Sequence, residues 1–181
     1  ITTAKGITSG YQPLGAVLIS DRLIREIGGD ADRGAVFANG FTYSGHPVAC
    51  AAALANLDVI EGDNLLEHAR EVGPYLQDQL KTLNDLPIVG DVRGVGLMAC
   101  VECVVSKGSG QPLEIDYAVG KRIDAHCQAM GLIIRPLINM CVLSPPLIIK
   151  RTEIDEMVRI LRRGIEKTMD DLQSEGIGDF D

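Results

Sequence analysis

Residues 2–17 read TTAKGITSGYQPLGAV, and the apolar run that ends this stretch continues to Ser20. From Gly15 onward the run is short and nearly continuous, which is typical of a strand buried on both faces. The same stretch carries one charged side chain, Lys5, among small, hydroxyl and apolar residues. The stretch therefore predicts an α/β fold and identifies Lys5 as a candidate functional residue.

Lys5 has two interpretations that the residues alone leave open. Apolar surroundings desolvate an ammonium group, lower its pKa and leave a nucleophilic amine that can form a Schiff base with a carbonyl. The neighbouring Gly6 lets the backbone approach a flat ligand closely. The other interpretation is a solvated surface lysine, which is the usual state of an isolated lysine.

The first half of the chain also predicts three helices. Asp21 is expected to cap a short helix that ends about Ile27, before two glycines. Pro47 opens a second helix, whose alanine-rich face indicates close packing against another backbone. After a break at residues 62–64, a third pattern repeats apolar residues at helical spacing through Leu83.

From about residue 84 the pattern becomes β-rich. Glycines interrupt an apolar segment at residues 88–105, and this pattern predicts strands joined by turns. Hydrophobic spacing predicts a helix over residues 116–130. Two short strands are expected after it, at residues 132–135 and 140–143.

The last predicted helix completes a two-domain organisation. It is expected to begin at Thr152, with a capping box that Thr152 forms with Asp155. The elements then predict the C-terminal part of a large α/β domain at residues 1–62 and a connecting helix at residues 63–83. A small α+β domain is expected at residues 84–181.

Composition excludes several function classes. The chain has 17 Lys and Arg against 25 Asp and Glu, a net charge of −8, which argues against nucleic-acid binding. No apolar run is long enough to span a bilayer, so we expect no membrane partner. The chain opens without Met or a signal-peptide pattern, and we expect that its beginning is missing.

The five cysteines do not resemble a disulfide framework. Cys100 and Cys103 form a C-x-x-C motif inside a predicted strand, where residues three apart point to opposite faces. No second Cys or His pair completes a zinc set, so we expect no metal. Reduced structural thiols predict a cytoplasmic protein.

A second motif runs directly into the helix at Pro47. Residues 39–47 read NGFTYSGHP, which combines hydroxyl groups with backbone N–H groups at a helix start and so suits an anion such as phosphate. The motif lacks the lysine of a nucleotide P-loop. The alternative is that its Ser or Thr only caps the helix.

Together the two motifs resemble the class III, pyridoxal-5′-phosphate-dependent aminotransferases, most closely their ω-amino acid or amine:pyruvate branch. Two later stretches fit the same family, DVRGVGL at residues 91–97 and GLIIRPL at residues 131–137, the latter followed by SPP at residues 144–146. The resemblance covers essentially the whole chain in the right order. It implies the fold of type I transferases, with the end of the large domain and the small C-terminal α+β domain.

The resemblance also implies roles for four residues. Lys5 matches the lysine that holds pyridoxal 5′-phosphate as an internal aldimine and later shuttles the proton. Thr42, with the backbone at Phe41, matches the element that reaches the cofactor phosphate of a neighbouring subunit. Arg135 matches the arginine that pairs with a substrate carboxylate, and its alternative is a structural ion pair. Asn39 departs from the histidine often found at its position, which leaves details of the substrate pocket in doubt.

The same resemblance implies partners outside this chain. A homodimer would share its active sites, because Thr42 would serve the other subunit. The acidic residue for the pyridine nitrogen, the phosphate cup and the stacking aromatic residue lie upstream of the lysine in this family. We therefore expect an upstream N-terminal segment of the same enzyme as a partner, and no turnover by the isolated chain.

The expected reaction is a ping-pong transamination. An amine or ω-amino acid would give its nitrogen to the cofactor, and a keto acid, most simply pyruvate, would take it. Within the family, the alternatives are a 4-aminobutyrate or acetylornithine aminotransferase, or the aminomutase that makes 5-aminolevulinate, which typically has a more glycine-rich segment where this chain has residues 7–13. Outside it, the alternative is a cofactor-free remnant that serves as a dimerisation or interaction module.

Overall fold

The computed structural model describes residues 1–28, 34, 40–107, 111–112 and 118–177. It is a mixed α/β structure that divides into two compact units, Ile1–Asn64 and Leu65–Asp181. The organisation proposed from the sequence differs from this division in treating residues 63–83 as a separate connecting helix. Asn39 and the expected helix start at residue 116 lie outside the described residues.

The first unit contains a two-stranded antiparallel sheet and two helices among its described residues. Strand β1 (Thr2–Ala4) pairs with strand β2 (Gly15–Val17). A 3₁₀ turn at Lys5–Thr8 follows β1 directly. Helix α1 (Asp21–Gly28) comes next, and helix α2 (Pro47–Gly62) begins at the expected proline.

The expectation of a strand buried on both faces at residues 15–20 is wrong for the described chain. Strand β2 stops at Val17, and the side chains of Val17 and Leu18 are 57% and 56% exposed. Among the described residues β2 pairs with β1 alone, with Thr3 opposite Ala16. An apolar strand is buried on both faces only where other helices or strands pack against it. The described residues do not cover β2 in this way.

Helix α1 is capped by Ser20 and not by Asp21 as expected. The Leu23 amide lies 3.5 Å from the Ser20 hydroxyl oxygen, and the Ile24 amide donates to the Ser20 carbonyl. Asp21 is therefore the first helical residue, where its carboxylate interacts favourably with the positive end of the helix.

Among its described residues, the second unit contains an antiparallel sheet and three α-helices. Its described strands are β3 (Val89–Val95), β4 (Met98–Ser106), β5 (Gln111–Pro112), β6 (Arg135–Leu137) and β7 (Met140–Leu143). Their order is β3-β4-β7-β6, and β5 pairs with β4. The helices are α3 (Leu65–Lys81), α4 (Val119–Ala129) and α5 (Arg151–Ser174).

The hydrophobic core of this unit lies between the three helices and the sheet. Its fully buried aliphatic side chains come from every layer: Leu76, Leu80, Leu83, Ile88, Val101, Ile123, Ile154, Leu161, Ile165 and Leu172. The periodicity of the last helix predicts a buried face, and all six residues of that face are buried: Ile154, Met157, Val158, Leu161, Ile165 and Leu172. Burying one such side chain stabilises a fold by about 1.5–3 kcal/mol, so this unit has a core of its own.

Two strand predictions around Arg135 have opposite outcomes. The strand at residues 140–143 is confirmed as β7, which pairs with both β4 and β6. The strand expected at residues 132–135 begins only at Arg135. Leu132 instead donates its amide to the Cys127 carbonyl at 3.0 Å, and so closes the end of helix α4 after Gly131, whose φ is +91°.

Helix α5 begins one residue earlier than expected and has a different cap. It starts at Arg151, and the Lys150 amide donates to the Glu153 carboxylate at 2.8 Å. The predicted box between Thr152 and Asp155 is wrong, because the capping positions lie two residues earlier, at Lys150 and Glu153, and Asp155 accepts a hydrogen bond from the Tyr75 hydroxyl.

Helix α3 approaches the hairpin between β3 and β4 closely. The Gln77 side-chain amide donates to the carbonyls of Gly96 at 2.8 Å and Met98 at 3.2 Å. A Cβ atom on Gly94 would lie 2.2 Å from the Met98 carbonyl oxygen. Glycine is therefore required at this position of β3.

The C-x-x-C motif lies on strand β4 as expected, and its two thiols are free. Cys103 is buried, and this burial raises the pKa of its thiol to about 12, whereas Cys100 is half-buried. Within the described residues, no helix combines the length and apolar character that crossing a membrane requires.

Candidate active site

Lys5 occupies an unusual backbone position at the end of strand β1. It is the first residue of the 3₁₀ turn, and its φ is +55°, in the left-handed region. That region costs an L-residue about 1–2 kcal/mol. Residues held there are concentrated at functional sites, so the backbone provides an independent reason to single out Lys5.

The side chain of Lys5 is exposed, so the desolvation expected from its neighbours is not present in the described chain. Small and hydroxyl side chains are too short to cover an ε-amino group, which is why apolar sequence neighbours alone do not desolvate it. Among the described residues, no carboxylate forms an ion pair with Lys5. The side chain of Lys5 is therefore accessible to a ligand.

The turn after Lys5 is held by local hydrogen bonds. The Ser9 amide donates to the Gly6 carbonyl at 3.2 Å, and the Tyr11 amide donates to the Thr8 carbonyl at 3.0 Å. Thr8 is buried, and its hydroxyl donates to the Gln12 carbonyl at 2.6 Å. These bonds shape the loop that returns to strand β2.

Asn56, on helix α2, also contacts this turn. Its side-chain Nδ2 donates to the carbonyls of Gly6 at 3.0 Å and Ile7 at 3.2 Å. Its Oδ1 accepts a hydrogen bond from the Ser9 hydroxyl at 2.5 Å. No local pattern in the sequence identifies Asn56, because its hydrogen-bond partners are 47 to 50 positions away. A polar residue in an alanine-rich helix was the only available signal.

The second motif forms a tight turn immediately before helix α2. The Phe41 amide donates to the Ser44 hydroxyl at 3.0 Å, and the Ser44 amide donates to the Phe41 carbonyl at 2.9 Å. His46 precedes the helix, and no side chain among the described residues caps the helix N-terminus. The alternative in which Thr42 or Ser44 caps this helix is therefore wrong.

Thr42 remains available for an external ligand. Its side chain is exposed, and within the described ranges its hydroxyl has no hydrogen-bond partner. The neighbouring aromatic side chains, Phe41 and Tyr43, are 81% and 80% exposed. A free hydroxyl beside an uncapped helix N-terminus suits a phosphate, so the motif keeps the chemistry that the resemblance implies.

Arg135 begins strand β6 in the second unit, where it pairs with Val142 of β7. It lines a cavity of about 630 Å³ whose other walls are mainly apolar, among them Ile134, Pro145 and Met157. No ion pair to Arg135 occurs in the part of the chain that the structure describes, so the structural alternative for this residue is not observed. A guanidinium group beside an apolar cavity suits a ligand that carries a carboxylate.

The first unit offers one group that suits an aldehyde and another that suits a phosphate. The amine of Lys5 is the group that an aldehyde requires, and Thr42 with the start of α2 provides donors for phosphate oxygens. By contrast, no group of three or more His, Cys, Asp or Glu side chains among the described residues could hold a metal ion.

Known proteins are similar to this chain in sequence. The profile of the family described as Aminotransferase class-III matches residues 1–165. An uncharacterized aminotransferase of Sinorhizobium fredii is 41% identical over 97% of this chain, and putrescine–pyruvate aminotransferase of Pseudomonas aeruginosa is 39% identical over 91%. A γ-aminobutyrate transaminase of Solanum lycopersicum is 35% identical over 97% of the chain.

Solved structures are similar as well. The PMP-bound form of an aminotransferase from Vibrio fluvialis matches 93% of this chain with a TM-score of 0.87 and 36% identity. The chain spans 37% of the length of that structure, and 38% and 35% of the length of the Sinorhizobium and Pseudomonas relatives.

Proposed function

Because this chain belongs to the class III aminotransferases, a family of pyridoxal-5′-phosphate-dependent enzymes, we propose that its enzyme moves an amino group from an amine or ω-amino acid to pyruvate. Its solved neighbours share the fold of type I expected from the sequence. The observation that carries the proposal is the state of Lys5. Its side chain is exposed and has no ion-pair partner among the described residues, and its backbone lies in the left-handed region directly after strand β1.

Lys5 is proposed to act as both attachment point and proton carrier. Pyridoxal 5′-phosphate supplies an electron sink that stabilises a carbanion at the substrate Cα. The amine of Lys5 would form a C=N bond with the aldehyde carbon, with loss of water. Once the incoming substrate amine replaces it, the freed amine of Lys5 would take the proton from the substrate Cα and return it to the cofactor carbon.

Thr42 and the backbone at Phe41 are proposed to bind the phosphate of a cofactor held by a second subunit, which makes a homodimer the functional state. The free hydroxyl of Thr42 and the uncapped start of helix α2 support this role. Few side chains are buried among the described residues of the first unit, namely those of Thr8, Ala49 and Ala53, which also suits a surface that another polypeptide covers.

Arg135 is proposed to bind the carboxylate of the keto acid. Its planar guanidinium group donates two parallel hydrogen bonds to a carboxylate, and the apolar cavity beside it accommodates the rest of the substrate. A relative named for pyruvate supports pyruvate as the acceptor. The reduced cysteines support a cytoplasmic enzyme.

Turnover is proposed to require residues that this chain does not contain. The chain spans 38% of the length of its Sinorhizobium relative. The described residues provide an amine, a hydroxyl and a guanidinium group, but this set includes no assigned partner for the pyridine nitrogen. We therefore expect the 181-residue chain alone to be inactive.

The second candidate function is a γ-aminobutyrate transaminase, which a relative at 35% identity favours. The two candidates differ in the donors and acceptors that they use best. Steady-state assays of the whole enzyme with pyruvate and with 2-oxoglutarate, each with putrescine and with γ-aminobutyrate, separate them. A higher kcat/KM for γ-aminobutyrate with 2-oxoglutarate than for any pairing with pyruvate would favour the second candidate.

The proposal is tested by trapping the cofactor on the protein. The whole enzyme is loaded with pyridoxal 5′-phosphate, reduced with borohydride, digested and analysed by mass spectrometry. We expect a pyridoxyl group on Lys5, no such group in Lys5→Ala, and normal labelling of Lys5 in the control Lys121→Ala, which changes an exposed lysine of the second unit. An unlabelled Lys5 in the folded wild-type enzyme would support the cofactor-free module instead.

A further inference from the structure

Asn56 holds the backbone directly after Lys5. Its Nδ2 donates to two consecutive carbonyls, those of Gly6 and Ile7, at 3.0 and 3.2 Å. All of these groups lie within the first unit. We propose that Asn56 is a positioning residue that sets where the Lys5 amine lies, an inference that rests on the proposed function of Lys5.

The backbone around Lys5 needs a constraint from outside the turn. Lys5 and Ser9 both have left-handed φ angles, +55° and +48°, which L-residues adopt only when other contacts hold them. The local bond from the Ser9 amide to the Gly6 carbonyl closes the turn but does not connect it to the rest of the unit. Asn56 provides such a connection, from a helix of 16 residues.

The chemistry of this position requires asparagine and is poorly explained by helix stability. Asn56 is half-buried in a helix rich in alanine, where alanine itself would favour the helix more. Aspartate has the same shape but lacks both N–H donors, so its carboxylate would repel the carbonyls of Gly6 and Ile7. Aspartate would also add a negative charge to the turn that carries the Lys5 amine.

The orientation of the Asn56 amide is fixed by a third contact. The Ser9 hydroxyl donates to Oδ1 at 2.5 Å, which turns Nδ2 toward the carbonyls of Gly6 and Ile7. Both polar atoms of the Asn56 side chain therefore form hydrogen bonds with the turn that follows Lys5. A neutral amide can hold the backbone in this way without changing the charge near the Lys5 amine.

The experiment compares four variants of the whole enzyme. Asn56→Ala removes all three bonds, and Asn56→Asp keeps the acceptor for Ser9 while losing both donors. Ser9→Ala removes only the orienting bond. The matched control is Asp58→Ala, an exposed polar-to-alanine change in the same helix. Thermal unfolding of each variant establishes that it folds, and Asn56→Asp keeps the test valid if Asn56→Ala does not fold.

Two readouts separate positioning from general stability. With saturating substrates, we expect kcat to fall roughly tenfold or more in both Asn56 variants while KM for the keto acid is unchanged. The reason is that the substitution displaces the Lys5 amine, which carries the proton, and leaves the groups that bind the keto acid in place. In the cofactor-free enzyme, amide hydrogen exchange at Ser9 and Tyr11 should accelerate about tenfold in these variants and not in Asp58→Ala. Ser9→Ala should accelerate this exchange by less than the Asn56 variants and by more than Asp58→Ala.

The possible failures are distinguishable. If borohydride labels Lys5 in the wild type while kcat and amide exchange are unchanged in Asn56→Ala and Asn56→Asp, the positioning role is overturned and the proposed function stands. If borohydride does not label Lys5 in the folded wild type, both are overturned. If kcat falls equally in Asn56→Ala and in the control Asp58→Ala, the effect belongs to the helix and the positioning role is overturned.

Discussion

Arg135 is exposed beside a cavity whose lining is mainly apolar and also includes Lys150 and Glu153, and no ion pair to Arg135 occurs among the described residues. Its guanidinium group is therefore open to a ligand that carries a negative charge. A carboxylate matches the fork of the guanidinium group with two parallel hydrogen bonds. Lysine provides only a point charge at the same place.

We therefore predict that Arg135→Lys in the whole enzyme raises KM for pyruvate roughly tenfold or more, since a charge-assisted hydrogen bond contributes about 1.5–3 kcal/mol. The half-reaction with an amine donor that has no carboxylate serves as the internal control and should change by less than about twofold. Steady-state kinetics with both substrates provides the measurement. Equal effects on both substrates would show that Arg135 supports the fold and not the carboxylate.

At the scale of single residues, the sequence predicts which side chains could carry chemistry, but it does not predict the surroundings of those side chains. Lys5, Thr42 and Arg135 are identified by residue type and motif, and the structure leaves all three without an internal partner among the described residues. The exposure of Lys5 was not predictable, because burial depends on which distant segments cover a side chain. Asn56 was not predictable either, since its hydrogen-bond partners lie 47 to 50 positions away.

At the scale of elements, the junction of helix α3 with the β3–β4 hairpin depends on one glycine. A methyl group on Gly94 would approach the Met98 carbonyl oxygen to 2.2 Å and the Gln77 side-chain oxygen to 2.7 Å. The first of these contacts is with backbone, which cannot move aside without breaking the pairing of the strands.

We predict that Gly94→Ala lowers the free energy of unfolding by about 2–3 kcal/mol, which is typical of overpacking a tight site. The control is Gly62→Ala at the end of helix α2, where an added Cβ would meet nothing within 4 Å. Urea unfolding followed by circular dichroism measures both variants. Equal stability of the two would mean that the hairpin relaxes and that the close approach is not required.

Helices and strands were predictable from the sequence where a local pattern of residues marks them. The exact residues at which they begin and end were not. Strand β7 and the start of helix α2 are correct because periodicity and Pro47 mark them directly. The cap of α1 moves from Asp21 to Ser20, since adjacent residues of similar propensity compete and only the backbone geometry decides between them. Leu132 reads as a strand residue but closes helix α4, because an apolar side chain is compatible with both.

At the scale of the whole molecule, the two units differ sharply in how much they bury. Among the described residues of Ile1–Asn64, only Thr8, Ala49 and Ala53 are buried, whereas Leu65–Asp181 contains an extensive core. Helix α3 contributes three of the buried aliphatic side chains of that core, those of Val72, Leu76 and Leu80. We infer that the second unit is stable without the first, provided that it retains α3.

This inference predicts different behaviour of two truncated chains. Residues 65–181 should unfold in one cooperative transition when expressed alone. Residues 84–181, the small domain expected from the sequence, should not fold, because each buried aliphatic side chain removed with α3 costs about 2–5 kcal/mol, against a total stability of about 5–15 kcal/mol. Circular dichroism during heating checks both. A cooperative transition in residues 84–181 would support α3 as a separable connecting helix.

The contact between Asn56 and the turn after Lys5 also affects the order of events during protein synthesis. The ribosome adds about 5–20 residues per second, so Asn56 is translated roughly 3–10 s after Lys5. Throughout that interval the lysine belongs to a nascent segment that lacks its distant partner. The amine therefore reaches its final geometry only after helix α2 has emerged.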